Sequence, residues 1–490
     1  MSAAEKITLF VIGVLMVWFL SQPLFYPDPS FFYFDDFFYY VVPARHFLTS
    51  GSFDFYPGMP TNGFQPLWMC VVLSALLLSG QNMFIFFALI NSVIGILMLI
   101  SVYQAMTLLR EQNARPSMRI FAGLFIYAML LQIAATGMEV AAAVPLLLYL
   151  TRLLLRAPVS ALAPRQLLYV GFIAALTILA RLDAVLLLLP VGIWLISRDR
   201  PSLKQLGTIA LGASPLAVYA LLNLYFTRSL LPMSGHAKML KENLVPTLRP
   251  LLSYFEVMGH YSVFFFGAFC VLALAGIFAR NHPQRPMLMA AIIGTVLYYA
   301  TYCVFSDWQV WFWYIYPLGW IATLGMAGIA QYKWKDITAG LMGTLAVMLC
   351  LPTTTLIQTR TPESNSIYPY ARAVSEFAST HPGIYAMGDC AGVTTYLMTS
   401  PVVQLEGLVA DSHMLEYIKQ RKPLAQLLQD YKADYYVAVD VYEKDGCYNV
   451  REPLLSGPAS PHMRGTICAK PLMRFVSELP VVIFNAKDVK

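Results

Sequence analysis

The sequence predicts a polytopic α-helical membrane protein that ends in a smaller, more polar α/β domain. Three observations carry this prediction. Of the 490 residues, 58% are hydrophobic and only 12% charged, against roughly 25% charged in an ordinary soluble domain. Apolar runs long enough to span a bilayer recur through residues 1–357. Beyond them, residues 358–490 turn polar and mix strand-like with helix-like segments.

The first segment has a charged start, Glu5 and Lys6, and an apolar run from Ile7 to Leu20. It lacks a small-residue cleavage site, so it reads as a retained helix. Spanning runs occur at about 6–26, 86–109, 119–137, 139–156, 166–181, 183–197, 205–227, 261–280, 286–305, 309–330 and 337–357, which makes about 11 transmembrane helices. The run Pro66–Gly80 is shorter. It is either a span or a re-entrant or interfacial helix.

Charge decides between these. If 66–80 does not span, the N-terminus is cytoplasmic and every short cytoplasmic loop is basic. Those loops hold Arg110, Arg115 and Arg119; Arg152, Arg156 and Arg165; Arg198, Arg200 and Lys204; Arg280 and Arg285; and Lys333 and Lys335. If 66–80 spans, all of them move outside while Lys6 stays in, which the positive-inside rule rejects. The helix 66–80 therefore belongs to the first outer loop, residues 27–82. The domain after residue 357 also falls outside, in a periplasm-like compartment.

That domain carries strand-like runs at Tyr435–Val441 and Pro480–Phe484 and helix-like ones at Pro369–Thr380, Leu415–Gln420 and Leu424–Tyr431. Cys390, Cys447 and Cys468 lie in it, where disulfides are permitted. Cys447 and Cys468 share a loop-rich stretch and are the expected pair, although spacing alone does not fix connectivity.

The same topology collects the unusual polar residues on the outer face, where ionisable groups at membrane depth mark function. Asp35-Asp36 lies among Phe31–Tyr40. It reads as a helix cap with a dipole-favoured acid, or as a general base whose pKa is raised by aromatic surroundings. The segment Pro60–Trp68, with Asn62, Gln65 and Trp68, is a turn that launches the short helix and also suits the lining of a sugar site. Glu139 reads as a cap of the following helix or as a substrate contact. Arg181 and Asp183 read as a pair across a tight turn, or Arg181 as a phosphate ligand. His236 and Lys238 are either interfacial side chains or an anion site for a lipid phosphate. Asp307 and Trp308 begin the tenth span. Trp311 and Tyr314 belong to an aromatic belt that is also fit to stack on a sugar.

In sequence, these motifs are Asp35-Asp36, Asn62–Trp68, Thr136–Glu139, Ala180–Asp183 and Pro232–Lys238. In this order they resemble the GT-C superfamily of bacterial membrane glycosyltransferases, with Gln65 where a His is common. The resemblance extends to Met387–Gly392 and Val403–Asp411. It implies an inverting glycosyltransferase that takes a sugar from a polyprenyl-phosphate donor at the outer face of the inner membrane. It places the base at the first acid, Asp35, with Asp36 assisting or orienting the acceptor. Lys238, His236 and Arg181 are then the candidates for stabilising the departing lipid phosphate. The similar arabinofuranosyltransferases, with their C-terminal extracytoplasmic domain, suggest a pentofuranose such as arabinofuranose as the sugar. The acceptor is an envelope glycan or an exported protein such as a pilin. Membrane lipid is a partner and nucleic acid is not.

Two other classes compete. A transporter or flippase of lipid-linked sugars would concentrate its polar groups near the bilayer midplane, and a non-enzymatic assembly protein would leave the acidic pair without a task. No cofactor is required. Paired carboxylates such as Asp35 and Asp36 are of the kind that hold a divalent cation, but no ligand spacing demands one.

Overall fold

A computed structural model describes residues 1–253, 255, 267, 269–270, 272–274, 277, 284–329, 361–362, 365–476 and 479–490. The expected spans 261–280, in large part, and 337–357 lie outside them, as do Arg280, Lys333 and Lys335.

The N-terminal part is a helical bundle: α1 (Ala3–Ser21), α2 (Asp35–Ser50), α3 (Pro66–Leu78), α4 (Met83–Glu111), α5 (Pro116–Ile133), α6 (Val140–Arg156), α7 (Pro164–Ala180), α8 (Ala184–Asp199), α9 (Leu203–Gly212), α10 (Ser214–Thr227), α11 (Met233–Lys238), α12 (Arg285–Phe305) and α13 (Tyr316–Ile329). Proline at the first or second position opens α3, α5, α7, α10 and α12, where its missing N–H costs nothing. Among the described residues four helices are long and apolar enough to cross a membrane, and α9 with α10 makes a fifth, bent by 56°. The bend falls at Ala213, two residues before Pro215, whose missing N–H and ring do not let the α9 hydrogen-bond ladder continue. The expected single span 205–227 is therefore two helices. At 13 residues α3 rises only about 20 Å, short of the ~30 Å hydrocarbon core.

The basic turns gather at one end of the bundle. Arg119 pairs with Glu5 at 2.8 Å, and Glu111 binds Arg152 and Arg156 at 2.5 and 2.7 Å. Asp199 accepts the Val159 N–H at 2.7 Å and pairs with Arg198. These contacts tie the start of α1, the α4–α5 and α6–α7 turns and the end of α8 together. The turns bearing Glu139 and Arg181 lie at the far ends of α5 and α7.

The C-terminal part holds α14 (Tyr368–Thr380), β1 (Tyr385–Met387), α15 (Ala391–Leu397), β2 (Val402–Gln404), α16 (Ser412–Lys419), α17 (Leu424–Asp430), β3 (Tyr435–Val439), β4 (Glu443–Lys444), β5 (Cys447–Glu452), β6 (Met463–Ile467), β7 (Met473–Phe475) and β8 (Val481–Asn485). One sheet runs β2-β1-β3-β8-β7, parallel across its first three strands and antiparallel beyond, with Ala386 opposite Val403 and Tyr436. β4, β5 and β6 form a second, antiparallel sheet. A disulfide joins Cys447 to Cys468 across it, the expected pair.

This unit is docked on the helical bundle. The Asp35 carboxylate accepts the backbone N–H groups of Gly392 and Val393, at 3.0 and 2.8 Å, at the start of α15. Asp307 and Trp308 correct one expectation. They do not begin a helix but run extended after α12, with Trp308 bridged to Ser456 and the Asp307 carboxylate accepting the Ala459 N–H at 2.9 Å. Backbone groups of the C-terminal unit supply the partners that a helix would have supplied internally.

Candidate active site

The site begins with α2. Phe34 is extended and the helix starts at Asp35, so Asp36, Tyr39 and Tyr40 fall on one face, three and four residues apart. That face lines a small polar chamber of about 60 Å³. Its other walls come from Gly63–Gln65, Met138 and Glu139, Arg181, Ser234 and Lys238, Trp313 and Tyr314, and Leu408. Six separate stretches of the bundle and one of the C-terminal unit thus converge on it.

The two acids of the pair have different places. Asp35 is buried with both carboxylate oxygens engaged by α15, and it does not line the chamber. Asp36 does. Burial pushes the Asp36 carboxyl up to about 7, although the Lys238 ammonium pulls it back down. The Asp35 carboxyl is also pushed up to about 7 by burial, opposed by the two backbone hydrogen bonds.

Arg181 is the buried hub of the cationic side. It donates to Glu139 Oε1 at 2.7 Å and to both Asp183 oxygens at 3.0 and 2.6 Å. Its guanidinium faces the rings of Tyr314 and Tyr316 at 4.8 and 5.0 Å. Tyr298, Tyr302 and Tyr316 donate to Asp183, and Tyr40 donates to Glu139 at 3.2 Å. A planar, five-donor group fixed by two carboxylates keeps one geometry. Lys238 is different. Its ammonium donates to the Tyr314 hydroxyl at 2.7 Å, and among the described residues it has no carboxylate within ion-pair distance. Attraction from Tyr314 and Asp36 outweighs burial and raises its pKa, so it stays charged.

A second, largely apolar cavity of about 260 Å³ opens beside the chamber. Leu182, Leu186, Leu231, Pro232, Met239, Tyr302 and Phe305 line it, and it shares Gln65, Arg181, Ser234, Lys238 and Tyr314 with the chamber. An apolar slot therefore ends on cationic side chains, with a carboxylate beyond them.

Of the residues singled out in the sequence, Asp36, Gln65, Glu139, Arg181, Lys238 and Tyr314 line the chamber, and Asp183 lies on the slot side. The others support it from outside. Asn62 holds α11 in place through Met233 N at 2.9 Å and Thr227 Oγ1 at 3.1 Å. Trp68 is fully buried, its indole N–H donating to Gly137 O at 2.8 Å. His236 pairs with Ser229 Oγ at 2.9 Å. Trp311 stacks on Trp313 with centroids 5.7 Å apart, and it is Trp313 that reaches the chamber. Gln65 replaces an imidazole with an amide whose Oε1 accepts the Leu182 N–H at 2.9 Å. Tyr39, Tyr40 and Leu408 were not singled out. The helical spacing after Asp36 points to the two tyrosines. Leu408 falls within Val403–Asp411, a segment that carries the resemblance, but nothing local marks it out from its neighbours.

No family model matches the chain and no curated protein sequence matches it. Solved structures do. The Archaeoglobus fulgidus oligosaccharyltransferase, tethered with an acceptor peptide, superposes with a TM-score of 0.54 at 13% identity, over 89% of this chain and 69% of that one. The arabinofuranosyltransferase AftD from Mycobacteria superposes with a TM-score of 0.51 at 14% identity, over 99% of this chain but 42% of that one. ArnT from Cupriavidus metallidurans, bound to undecaprenyl phosphate, gives a TM-score of 0.48 at 17% identity, over 87% of this chain and 80% of that one. The two of these with TM-scores above 0.5 are an oligosaccharyltransferase and an arabinofuranosyltransferase, and they follow nearly the whole of this chain. The chain therefore has the GT-C fold, the superfamily fold its ordered motifs resemble.

Proposed function

We propose that this protein is an inverting glycosyltransferase that uses a polyprenyl-phosphate sugar as donor. The observation that carries this reading is the shared wall: an apolar slot and an acid-bearing chamber meet at Lys238, Arg181 and Tyr314. The isoprenoid chain lies in the slot, where apolar burial holds it, and its phosphate faces Lys238 and Arg181. The sugar then projects into the chamber.

Asp36 is the base, in exchange of roles with Asp35. It takes the proton of an acceptor hydroxyl while that oxygen forms a bond to the anomeric carbon from the face opposite the phosphate. The bond from that carbon to the phosphate oxygen breaks, and its electron pair leaves on the lipid phosphate. Lys238 and Arg181 stabilise the growing charge. One displacement gives inversion. No step here runs through a divalent cation: Asp36 is the carboxylate of the pair that faces the chamber, and Glu139 is engaged by Arg181.

A pentofuranose such as arabinofuranose is the proposed sugar, and an envelope glycan or exported protein the acceptor. Residues 1–357 form the catalytic membrane domain and 358–490 a domain outside the inner membrane, with the N-terminus cytoplasmic. The gathering of basic turns at the end away from Asp36 supports this orientation. Mass spectrometry of the copurified polyprenyl lipid names the donor, and transfer from that donor is then assayed. Loss of transfer by a hundredfold or more in Asp36→Asn, with the fold intact, supports the reading. Undiminished transfer overturns the assignment of the base.

A further inference from the structure

The chamber is roofed by the C-terminal unit. The loop 405–411 joins β2 to α16, and its residues Leu405–Ala410 are all buried. Leu408 lines the chamber. Its carbonyl oxygen lies so close to Gly63 that a Cβ on Gly63 would overlap it. The roof and the first outer loop thus meet backbone to backbone.

Three features set this contact apart from an ordinary domain interface. First, the space beneath it is about 60 Å³, whereas pockets for small ligands start at ~300 Å³. Water fits, but a glycosyl unit together with its acceptor does not. Second, among the described residues no hydrogen bond joins 406–410 to the helical bundle, so the seal is apolar and has no polar latch. Third, the loop turns at Gly407, with φ +78°, and carries Glu406 fully buried with Oε1 unpartnered. A buried carboxyl oxygen without a partner makes the seated position costly.

We propose that the loop 405–411 is a movable gate for the acceptor, hinged near Gly407, with Leu408 as the side chain that closes the chamber and limits what enters. The assignment rests on the glycosyltransferase reading above. The donor reaches the site through the apolar slot, and the acceptor enters where the roof lifts.

The test locks the gate. In a Cys70→Ala background, Phe64→Cys and Leu408→Cys, both facing the chamber, are bridged by a short reducible bis-methanethiosulfonate. Two reactions are followed with decaprenyl-phospho-arabinofuranose as donor: release of free sugar, with water as acceptor, and transfer to n-octyl arabinofuranoside. Relative to the same double-cysteine protein before bridging, the bridged enzyme is expected to keep sugar release within about threefold and to lose transfer at least tenfold, with recovery on reduction. Equal transfer before and after reduction overturns the gate.

A second measurement does not depend on activity. Met138 is buried and lines the chamber. In a Cys70→Ala, Met138→Cys protein, with labelling read at position 138 by peptide mass spectrometry, the roof must lift before a bulky, membrane-impermeant maleimide reaches that thiol. Labelling within minutes by the folded protein supports the gate even if the donor is never consumed. That second outcome would count against the glycosyltransferase reading alone. No labelling over hours, with full labelling once unfolded, overturns the gate.

Discussion

The carboxylate of Asp35 and the backbone N–H of Val393 meet at 2.8 Å although 358 residues separate them in the chain. With Gly392 they form a helix cap assembled from two halves of the protein. Its neighbour Asp36 points the other way, into the chamber. Adjacent acids thus serve docking on one side and, in the proposed reaction, chemistry on the other, and substitution separates them. Asp35→Ala leaves two backbone donors of α15 without their acceptor, which costs about 1–3 kcal/mol for a buried group. Limited proteolysis is expected to release the C-terminal unit, and the melting temperature to fall. Asp36→Asn is expected to leave both unchanged and to abolish transfer.

The rate should depend on pH through the base. The Asp36 carboxyl is held at about 7 by burial, with Lys238 pulling it down. Only the ionised form accepts a proton, so transfer should rise as pH passes through about 7 and then level off. In Lys238→Met the opposing charge is gone and the rise should move to higher pH. A pH–rate profile that stays put in this variant removes the electrostatic link between the two residues.

Stability should have the opposite slope. Burial holds the Glu452 carboxyl at about 8, above its ordinary value near 4.5. The folded state therefore prefers the protonated acid. That preference is fully present below the ordinary value and is lost as pH rises through about 8. Asp389, raised by burial and by Asp36, and Glu406, raised by burial and by Asp389 and Glu452, act in the same direction. Thermal melts across this range should show the C-terminal unit loosening with rising pH, and Glu452→Gln should flatten that slope.

Arg181→Lys is not conservative. An ammonium does not reproduce the fork that binds Glu139 and both oxygens of Asp183. Leaving a buried acid unpaired costs about 3–5 kcal/mol. Expression and melting temperature should both drop, even before transfer is measured.

Gly63→Ala tests the roof contact by itself. The added methyl overlaps the Leu408 carbonyl, so the loop 405–411 must shift. Protease sensitivity at that loop should increase without any change at Asp36.

The residues that were legible in advance are those whose neighbours lie close in sequence. The acidic pair, the Thr136–Glu139 and Ala180–Asp183 turns and the Lys238 segment each carry unusual polarity for a membrane chain, and the basic turns place them at one end. The strands Tyr435–Val439 and Val481–Asn485 were visible as apolar runs. The three-residue strands β1 and β2 were too short to show a period. Asp35 and Leu408 were obscured for a different reason. Their surroundings are made by residues hundreds of positions away, and tertiary packing, not local pattern, assigns their roles. The bend between α9 and α10 was signalled by Pro215, yet the unbroken hydropathy concealed it.

The cap formed by Asp35 on α15 also bears on biogenesis. The bundle is synthesised and inserted first, with its acid and its cations in place but one wall missing. In the proposed orientation, the last quarter of the chain must be translated, cross the membrane and seat itself on Asp35 and Gly63 before the chamber is closed. In that orientation, maturation of the site is tied to completion of export.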